Sequence, residues 1–187
     1  MKRVLIVAFA ALLPAFHLQA QDEAFGWMCQ RNDPVSVAMA GVSLAPSSDI
    51  SFSAFRNPAV IPYSESRFAV TAAYSPAVGD MTTGGLDVGV GMKTGERLGF
   101  SVAGNYNSCG EYEVIDDSGN RNGMFKTSSM MFSAGLGLKV IDALSVGINL
   151  KYAGERLASD SNQGVFASDV YALYRWWMLR FSAGLAN

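Results

Sequence analysis

The stretch Met130–Tyr152, with the sequence MMFSAGLGLKVIDALSVGINLKY, decides the fold. Its bulky apolar side chains recur at every second position, which is the period of a β-strand rather than of a helix. Ser, Gly, Lys and Asn occupy most of the positions between them. The link Ile141-Asp142-Ala143 interrupts the pattern and is long enough to turn one strand back on the next. The stretch therefore predicts a β-hairpin whose strands each have one apolar face and one small or polar face.

Alternation with the same period continues on both sides of this hairpin. It predicts further strands over residues 68–74, 86–93, 98–106, 166–174 and 179–186. All six prolines lie at or before Pro76, and 17 of the 19 glycines lie after it. Because proline has no N–H to donate to a neighbouring strand, a proline-free region suits a long hydrogen-bonded sheet. The sequence therefore predicts an all-β, antiparallel fold of about seven strands over residues 67–187.

Alternation alone does not say which face of the sheet points outward. An apolar interior would give a soluble barrel or sandwich, and an apolar exterior a transmembrane β-barrel. Charged residues make up 16% of the chain, against about 25% in soluble domains. The face opposite the apolar one is mostly Gly, Ala and Ser, whereas a water-facing surface is about a quarter to a third charged. These two observations favour the transmembrane barrel.

The connections between the predicted strands alternate in length. Long connections at residues 75–83, Asn107–Phe125 and Gly154–Val165 alternate with short ones at 94–96, 141–143 and Trp176-Trp177. Outer-membrane barrels have short periplasmic turns and longer external loops. This pattern places the N-terminus of the mature chain in the periplasm. Trp176 and Trp177 then belong to an aromatic girdle at the periplasmic interface, or alternatively to a turn that packs on its own core.

Residues 1–20 have the organisation of a secretory signal peptide. Two basic residues open it, Val4–Phe16 form an apolar core and Leu18-Gln19-Ala20 a cleavage site. The apolar core has 13 residues, whereas a membrane-spanning helix needs about 20. We expect a cleaved signal, export through the inner membrane and a mature chain that begins at Gln21. The single histidine, His17, lies in the part that is removed.

Residues 21–66 lack the strand period and form a separate N-terminal segment, periplasmic or lumenal. Ser47-Ser48-Asp49 is a helix-capping sequence, and residues 49–56 suit two helical turns that Asn57-Pro58 would end. The segment is either a plug in the barrel lumen or under its mouth, or a flexible periplasmic leader. The sequence leaves both alternatives open.

No residue pattern points to catalysis, a cofactor or a metal. Gly89-Val90-Gly91 has the glycines of a phosphate-binding loop but opens no helix. Asp116–Asn120 offers oxygen ligands for Ca²⁺ without the EF-hand spacing, so a solvated external turn is expected. The chain has no Gly-x-Ser-x-Gly sequence and, after cleavage, no histidine to serve as a base. We therefore predict a protein that is not an enzyme, with no catalytic, cofactor-binding or metal-binding residues.

Two further questions concern charge and thiols. A net charge of -2 and a pI of 5.3 give no reason to expect nucleic acid as a partner. An exported compartment permits a disulfide between Cys29 and Cys109, but two separate thiols fit the sequence as well. Six side chains on the predicted inward face either line an aqueous path or form a paired network that fills the lumen. They are Asp87, Lys93, Lys139, Asn149, Lys151 and Asp169.

Several motifs, taken in their order along the chain, resemble those of a known family. They are Val37–Ala45, Ser48-Asp49, Phe55–Ile61 with its Asn57-Pro58-Ala59, Ala73–Pro76, Val165–Arg175 and Ser182–Asn187. Together they resemble the PorV/PorQ family, a branch of the FadL-like outer-membrane β-barrel proteins. The chain departs from the family signature at Ala40 and Tyr171, where glycine is common, and at Ser48, where an acidic residue is common.

The resemblance implies a FadL-like barrel in the cell outer membrane, associated with type IX protein secretion and surface attachment. The partners implied are outer-membrane lipid and secretion-system proteins or secreted cargo. Asn107–Phe125 and Gly154–Val165 are the expected contact surfaces, because loops vary in sequence and bind partners. A FadL-like passive channel for hydrophobic small molecules is the alternative function, and an exported soluble β-protein is the third.

The family's barrels have roughly double the strands predicted here. Bacterial single-chain barrels also have even strand counts. We therefore expect an incomplete barrel, which corresponds to the N-terminal half of a longer protein. Such a chain would form an open, curved sheet with two unpaired edges and a short plug-like segment before it.

Overall fold

The structure is a computed structural model that describes residues 34–39, 50–77, 80–115, 119, 121–158 and 161–186. The predicted signal peptide, Cys29, the capping sequence at 47–49 and most of the turn at 116–120 lie outside the described residues. Those predictions therefore stay predictions. No helix among the residues described is long and apolar enough to cross a membrane.

Seven antiparallel strands form one sheet in the described part of the chain. They are β1 Phe68–Ala77, β2 Asp80–Thr94, β3 Leu98–Ile115, β4 Arg121–Ile141, β5 Leu144–Ala158, β6 Ser161–Trp176 and β7 Leu179–Leu185. Each strand pairs with the next along the chain, from β1 to β7. The sheet is open rather than closed into a barrel. The predicted all-β, antiparallel and open architecture is confirmed.

The two faces of the sheet can be compared along neighbouring cross-strand rows. The register joins one apolar residue from every strand into a continuous row, here named the outer row: Phe68, Met92, Phe100, Leu136, Ile148, Val170 and Leu185. The adjacent row on the other face contains only small or polar residues: Ala69, Gly91, Ser101, Gly135, Asn149 and Asp169. Alternation in the sequence therefore appears as two chemically distinct faces.

Burial of the two faces is opposite to that in a soluble sheet. On the apolar face Leu136 is 53% exposed and Phe132 56% exposed. On the small and polar face, Ser133, Asn149 and Asp169 are buried. We call these the outer and the inner face. The bulky apolar side chains point away from the packed interior.

The inner face is covered by residues 50–64, here named the inner segment. A 3₁₀ helix, Pro58–Tyr63, forms its second half and contacts β2 through β6. The first half packs Phe52, Ala54 and Phe55 against Ala103 and Met131 of the sheet. The hydrophobic core of the described residues therefore lies between this segment and the inner face. A further short helix, α1, spans Pro34–Ala38.

The predicted helical turns over residues 49–56 are wrong for the part that is described. Residues 51–55 form successive turns, in which the N–H of Ser53 donates to the carbonyl of Ile50 and that of Phe55 to Phe52. Serine competes with helix formation by bonding elsewhere, and the hydroxyl of Ser51 donates to Thr71 of β1. Asn57-Pro58 begins the 3₁₀ helix instead of ending a helix, because the first helical position needs no N–H donor.

The predicted long connections at residues 75–83, Asn107–Phe125 and Gly154–Val165 are also wrong. β1 runs to Ala77 and β2 begins at Asp80. β3 continues to Ile115 and β4 begins at Arg121, while β5 reaches Ala158 and β6 begins at Ser161. Their polar residues suggested loops, yet those residues keep the two-residue period. They pair across the strands, as Glu111 does with Lys126. Strand structure therefore extends beyond the apolar part of the sheet.

Candidate functional site

The covered inner face is the candidate site, because it contains most of the buried polar side chains. Glycines make the cover possible. A Cβ on Gly137 would lie 2.0 Å from the carbonyl oxygen of Pro58, and a Cβ on Gly91 would lie 2.2 Å from that of Ile50. A Cβ on Gly147 would lie 2.6 Å from the backbone nitrogen of Ala59. Backbone of the inner segment thus lies where a side chain would otherwise be.

Hydroxyl and ammonium groups of the strands satisfy backbone carbonyls of the inner segment. Ser133 of β4 donates to the carbonyl of Ala54 at 2.5 Å, and Ser145 of β5 to that of Ala59 at 2.6 Å. The ammonium of Lys93 donates to the carbonyl of Ser64 at 2.7 Å. Because unpaired buried carbonyls are costly, these donors hold the irregular segment in place.

Asn57 fixes both the start of the 3₁₀ helix and its position under the sheet. Its side-chain oxygen accepts from the N–H of Ala59 at 2.9 Å, as a helix cap does. Its side-chain nitrogen donates to the hydroxyl of Ser182 in β7 at 2.8 Å. Asn57 is fully buried. The Asn57-Pro58-Ala59 motif therefore links the first half of the inner segment to the last strand.

A buried ion pair lies on the inner face of β5 and β6. The ammonium of Lys151 is 2.5 Å from the Oδ2 atom of Asp169, and the side chains are 7% and 0% exposed. The hydroxyl of Tyr171 donates to the same oxygen at 3.0 Å. Asn149, also fully buried, lies opposite Asp169 in the register. The partners of the carboxylate thus include the Lys151 ammonium and the Tyr171 hydroxyl, on a face where these side chains are buried.

A second polar group lies on β2 and β3. Asn105 donates from Nδ2 to Asp87 at 2.6 Å and accepts from Nδ2 of Asn107, also at 2.6 Å. Asp87 is 1% exposed. Together with the Lys151–Asp169 pair, this chain of amides gives the inner face the character of a bonded network beneath the inner segment.

The remaining two of the six predicted inward residues lie at the end of the sheet that carries the β2–β3, β4–β5 and β6–β7 turns. Lys93 binds the inner segment at Ser64, as described above. Lys139 lies 3.4 Å from Asp142 within the β4–β5 turn. The structure therefore brings Asn149, Lys151 and Asp169 together and leaves Lys93 and Lys139 at the rim.

A polar pocket of about 390 Å³ opens at this rim. Tyr63, Lys139, Asp142 and Arg175 contribute to its walls. The guanidinium of Arg175 lies 4.5 Å from the centre of the Tyr63 ring. Burial raises the pKa of the Tyr63 phenol above its usual value, so this hydroxyl is neutral at physiological pH.

Trp177, which also lines this pocket, belongs to the β6–β7 turn. It is 89% exposed and Trp176 is 64% exposed. The alternative in which this turn packs on its own core is therefore wrong. Trp177 also has a φ of 54°, in the left-handed region that a bulky residue rarely adopts.

No spacing or charge pattern in the sequence predicts the contacts of several side chains that build the site. Arg56 is 3% exposed and donates from Nε to the carbonyl of Phe52 at 3.4 Å. The contact between Tyr63 and Arg175 was not predicted either, since the two residues are distant along the chain, although Arg175 ends one of the quoted motifs. The small residues of the inner face, by contrast, were predicted, because they occupy the positions between the apolar residues in the alternating pattern.

No protein-family model and no curated protein matches the chain. Among the described residues, no cluster of three or more His, Cys, Asp and Glu side chains has the arrangement of a metal site. The assignment of function therefore rests on the two faces of the sheet and on the motifs of the inner segment.

Proposed function

We propose that this chain is a non-enzymatic outer-membrane β-barrel protein that acts in type IX protein secretion and surface attachment, as PorV/PorQ proteins do. The outer row is the observation that supports it best. Seven apolar side chains, one from each described strand, lie side by side with no polar interruption. At the spacing of neighbouring strands this row is about 29 Å wide.

In this proposal the side chains of the outer row face lipid, because they are apolar and mostly exposed. Phe68, Leu136, Val170 and Leu185 are each more than half exposed. Soluble monomers rarely expose contiguous apolar patches of more than a few hundred Å². Lipid acyl chains would bury these side chains. Lipid offers no hydrogen-bond partners to the backbone, but the hydrogen bonds between the strands already pair its N–H and C=O groups.

The inner segment supports the part of the proposal that concerns the family. The Asn57-Pro58-Ala59 motif of the resemblance forms the buried connection to Ser182, which belongs to another of the quoted motifs. Two motifs 125 positions apart are thus in direct contact. A lumenal position for the inner segment follows if the outer face lies in lipid.

Fractionation tests the location. We expect the protein in the outer-membrane fraction, resistant to extraction by alkaline carbonate and released by detergent. Recovery in the soluble periplasmic fraction would contradict the proposal and favour an exported soluble β-protein.

Deletion of the gene tests the role. We expect surface proteins to accumulate in the periplasm or to be released into the medium, with uptake of hydrophobic compounds unchanged. Normal secretion together with a selective loss of hydrophobic-compound uptake would contradict the secretion role and favour the passive channel. Complementation with the intact gene controls for effects on neighbouring genes.

A further inference from the structure

The β3–β4 hairpin projects beyond the rest of the sheet. The last partner of β3 on β2 is Gly84, opposite Ser108, and the last partner of β4 on β5 is Arg156, opposite Ser128. Among the described residues, β3 nevertheless continues to Ile115 with partners on β4 alone. We name residues 109–115 and 121–127 the arm. At the rise of an extended strand, its β3 side extends about 23 Å past Ser108, the last residue of β3 that pairs with β2.

The two long edges of the arm differ in how accessible they are. On the β4 side, the guanidinium of Arg156 lies 5.4 Å from the centre of the Phe125 ring and covers the base of the edge. On the β3 side, the described residues of β2 provide no ladder partner beyond Gly84. The N–H and C=O groups along this edge are therefore available to another extended chain.

The exposed face of the arm's β3 strand carries two carboxylates. Glu111 and Glu113 are both exposed and are two residues apart, so they point to the same side. Glu111 lies opposite Lys126, and Glu113 is 3.2 Å from Arg121. Cations thus flank both carboxylates on the β4 side, while the other side has none among the described residues of β2.

Irregularities in the ladder bracket this acidic stretch. The register shifts between Ser108 and Glu111 and again between Glu113 and Ile115. Gly110 and Gly123 have φ values of 96° and 103°, which suit such bulges. Glu111 through Glu113 is therefore a short regular ladder with a defined register.

We propose that the β3 edge of the arm binds an extended polypeptide with basic residues at alternate positions, by adding it as a strand. Main-chain hydrogen bonds to the edge supply affinity, and two Lys or Arg side chains opposite Glu111 and Glu113 supply selectivity. Each glutamate then lies between a cation of β4 and a cation of the ligand. This inference rests on the proposed function in one respect, the source of the ligand, which is a segment of a secreted polypeptide.

Peptide binding to the full chain, folded in detergent micelles, tests the proposal. The probes are a labelled nine-residue peptide of alternating Thr and Lys, the same peptide with Glu for Lys, and the Lys peptide with N-methylated amides on its ladder-forming edge. By fluorescence anisotropy at low salt, we expect the Lys peptide to bind about tenfold more tightly than either control. Equal binding of the Lys and Glu peptides would overturn the proposal.

The N-methylated peptide separates strand addition from simple charge attraction. It keeps every charge but cannot donate to the β3 edge. If it binds as well as the unmodified Lys peptide, no strand is added and the inference is wrong.

Substitutions locate the binding edge. Glu111→Lys should reverse the preference between the Lys and Glu peptides, and Glu111→Gln should weaken the Lys peptide several-fold with less risk to folding. Glu96→Lys in the β2–β3 turn changes the net charge equally at the opposite end of the sheet and should leave binding unchanged. Equal effects of the two Lys variants would place binding elsewhere.

The binding assay and the cellular tests fail independently. A soluble periplasmic protein that still adds the Lys peptide to its arm would contradict the proposed function and keep this inference. A membrane protein that is required for secretion but does not distinguish the peptides would support the proposed function and overturn this inference.

Discussion

At the scale of single residues, the inner face stabilises the fold through groups that are costly when unpaired. Asp169 is fully buried and depends on Lys151 and Tyr171 for compensation. A buried pair of this kind contributes little relative to an apolar pair of the same shape, but loss of one partner leaves an uncompensated charge. The network therefore specifies which strands lie together more than it adds to overall stability.

Lys151→Met tests this dependence. It should lower the free energy of unfolding by about 3–5 kcal/mol, because Asp169 stays buried without its cation. Lys151→Met with Asp169→Leu should recover most of the loss. Urea unfolding in detergent micelles, followed by tryptophan fluorescence, measures both. Arg97→Met, at an exposed cation in the β2–β3 turn, is the control, and a loss of equal size there would show that the effect is not due to the buried pair.

Gly137→Ala tests the close approach of the inner segment. The new Cβ would overlap the carbonyl of Pro58, so we expect about 1–3 kcal/mol of destabilisation and faster proteolysis within residues 50–64. Gly104→Ala is the matched control, because its Cβ would lie 3.3 Å from the movable ring of Phe132 on the outer face. It should change stability by about 0.5 kcal/mol or less. Equal costs at both sites would show that the crowding at Gly137 has no effect.

At the scale of elements, the alternating pattern predicted which residues share a face and where the sheet's apolar strands lie. It did not predict the full length of β3 and β4, because Glu111 and Lys126 gain their strand structure from each other rather than from burial. The alternating pattern also did not predict the path of the inner segment across the sheet. It depends on Pro58 and Ala59 lying over Gly137 and Gly147, which are far from them along the chain.

A cysteine pair tests the position of the inner segment against β1. The hydroxyls of Ser51 and Thr71 are 2.9 Å apart, so Ser51→Cys with Thr71→Cys should oxidise to a disulfide in a chain whose native cysteines are replaced by serine. Faster migration in a non-reducing gel detects it. Thr71→Cys with Ser133→Cys is the control, since the register places these residues three strands apart, about 14 Å. Equal crosslinking of both pairs would contradict the described packing.

Arginine substitutions on the outer face of β4 test its contact with lipid. Leu136→Arg in the outer row should cost about 2–4 kcal/mol in phospholipid vesicles, and Val140→Arg near the short turn about 1 kcal/mol or less. The difference arises because the cost of a charge depends on its depth in the bilayer. Unfolding titrations in vesicles measure both variants. Equal costs would contradict a lipid-facing sheet.

At the scale of the whole molecule, the sequence predicted an apolar face that points outward, and it left open whether residues 21–66 form a plug or a flexible leader. A face of Gly, Ala and Ser has too few charges to face water, which left an apolar exterior as the consistent arrangement. Whether residues 50–64 cover the inner face depends on hydrogen bonds such as that between Ser145 and Ala59, for which no periodic signal exists. The predicted open sheet has the same origin as the strand count, since both follow from the number of alternating segments.

The hydrogen bond between Asn57 and Ser182 also bears on the order of folding. It joins positions 125 residues apart, whereas each hairpin joins strands that are neighbours in the chain. Closing so long a loop costs more entropy than closing a hairpin, and the contact forms only after the intervening strands have shortened the distance. We therefore expect Ser182 to meet Asn57 after the hairpins between them have formed, so that a folding probe at this bond reports completion of the topology of the described residues.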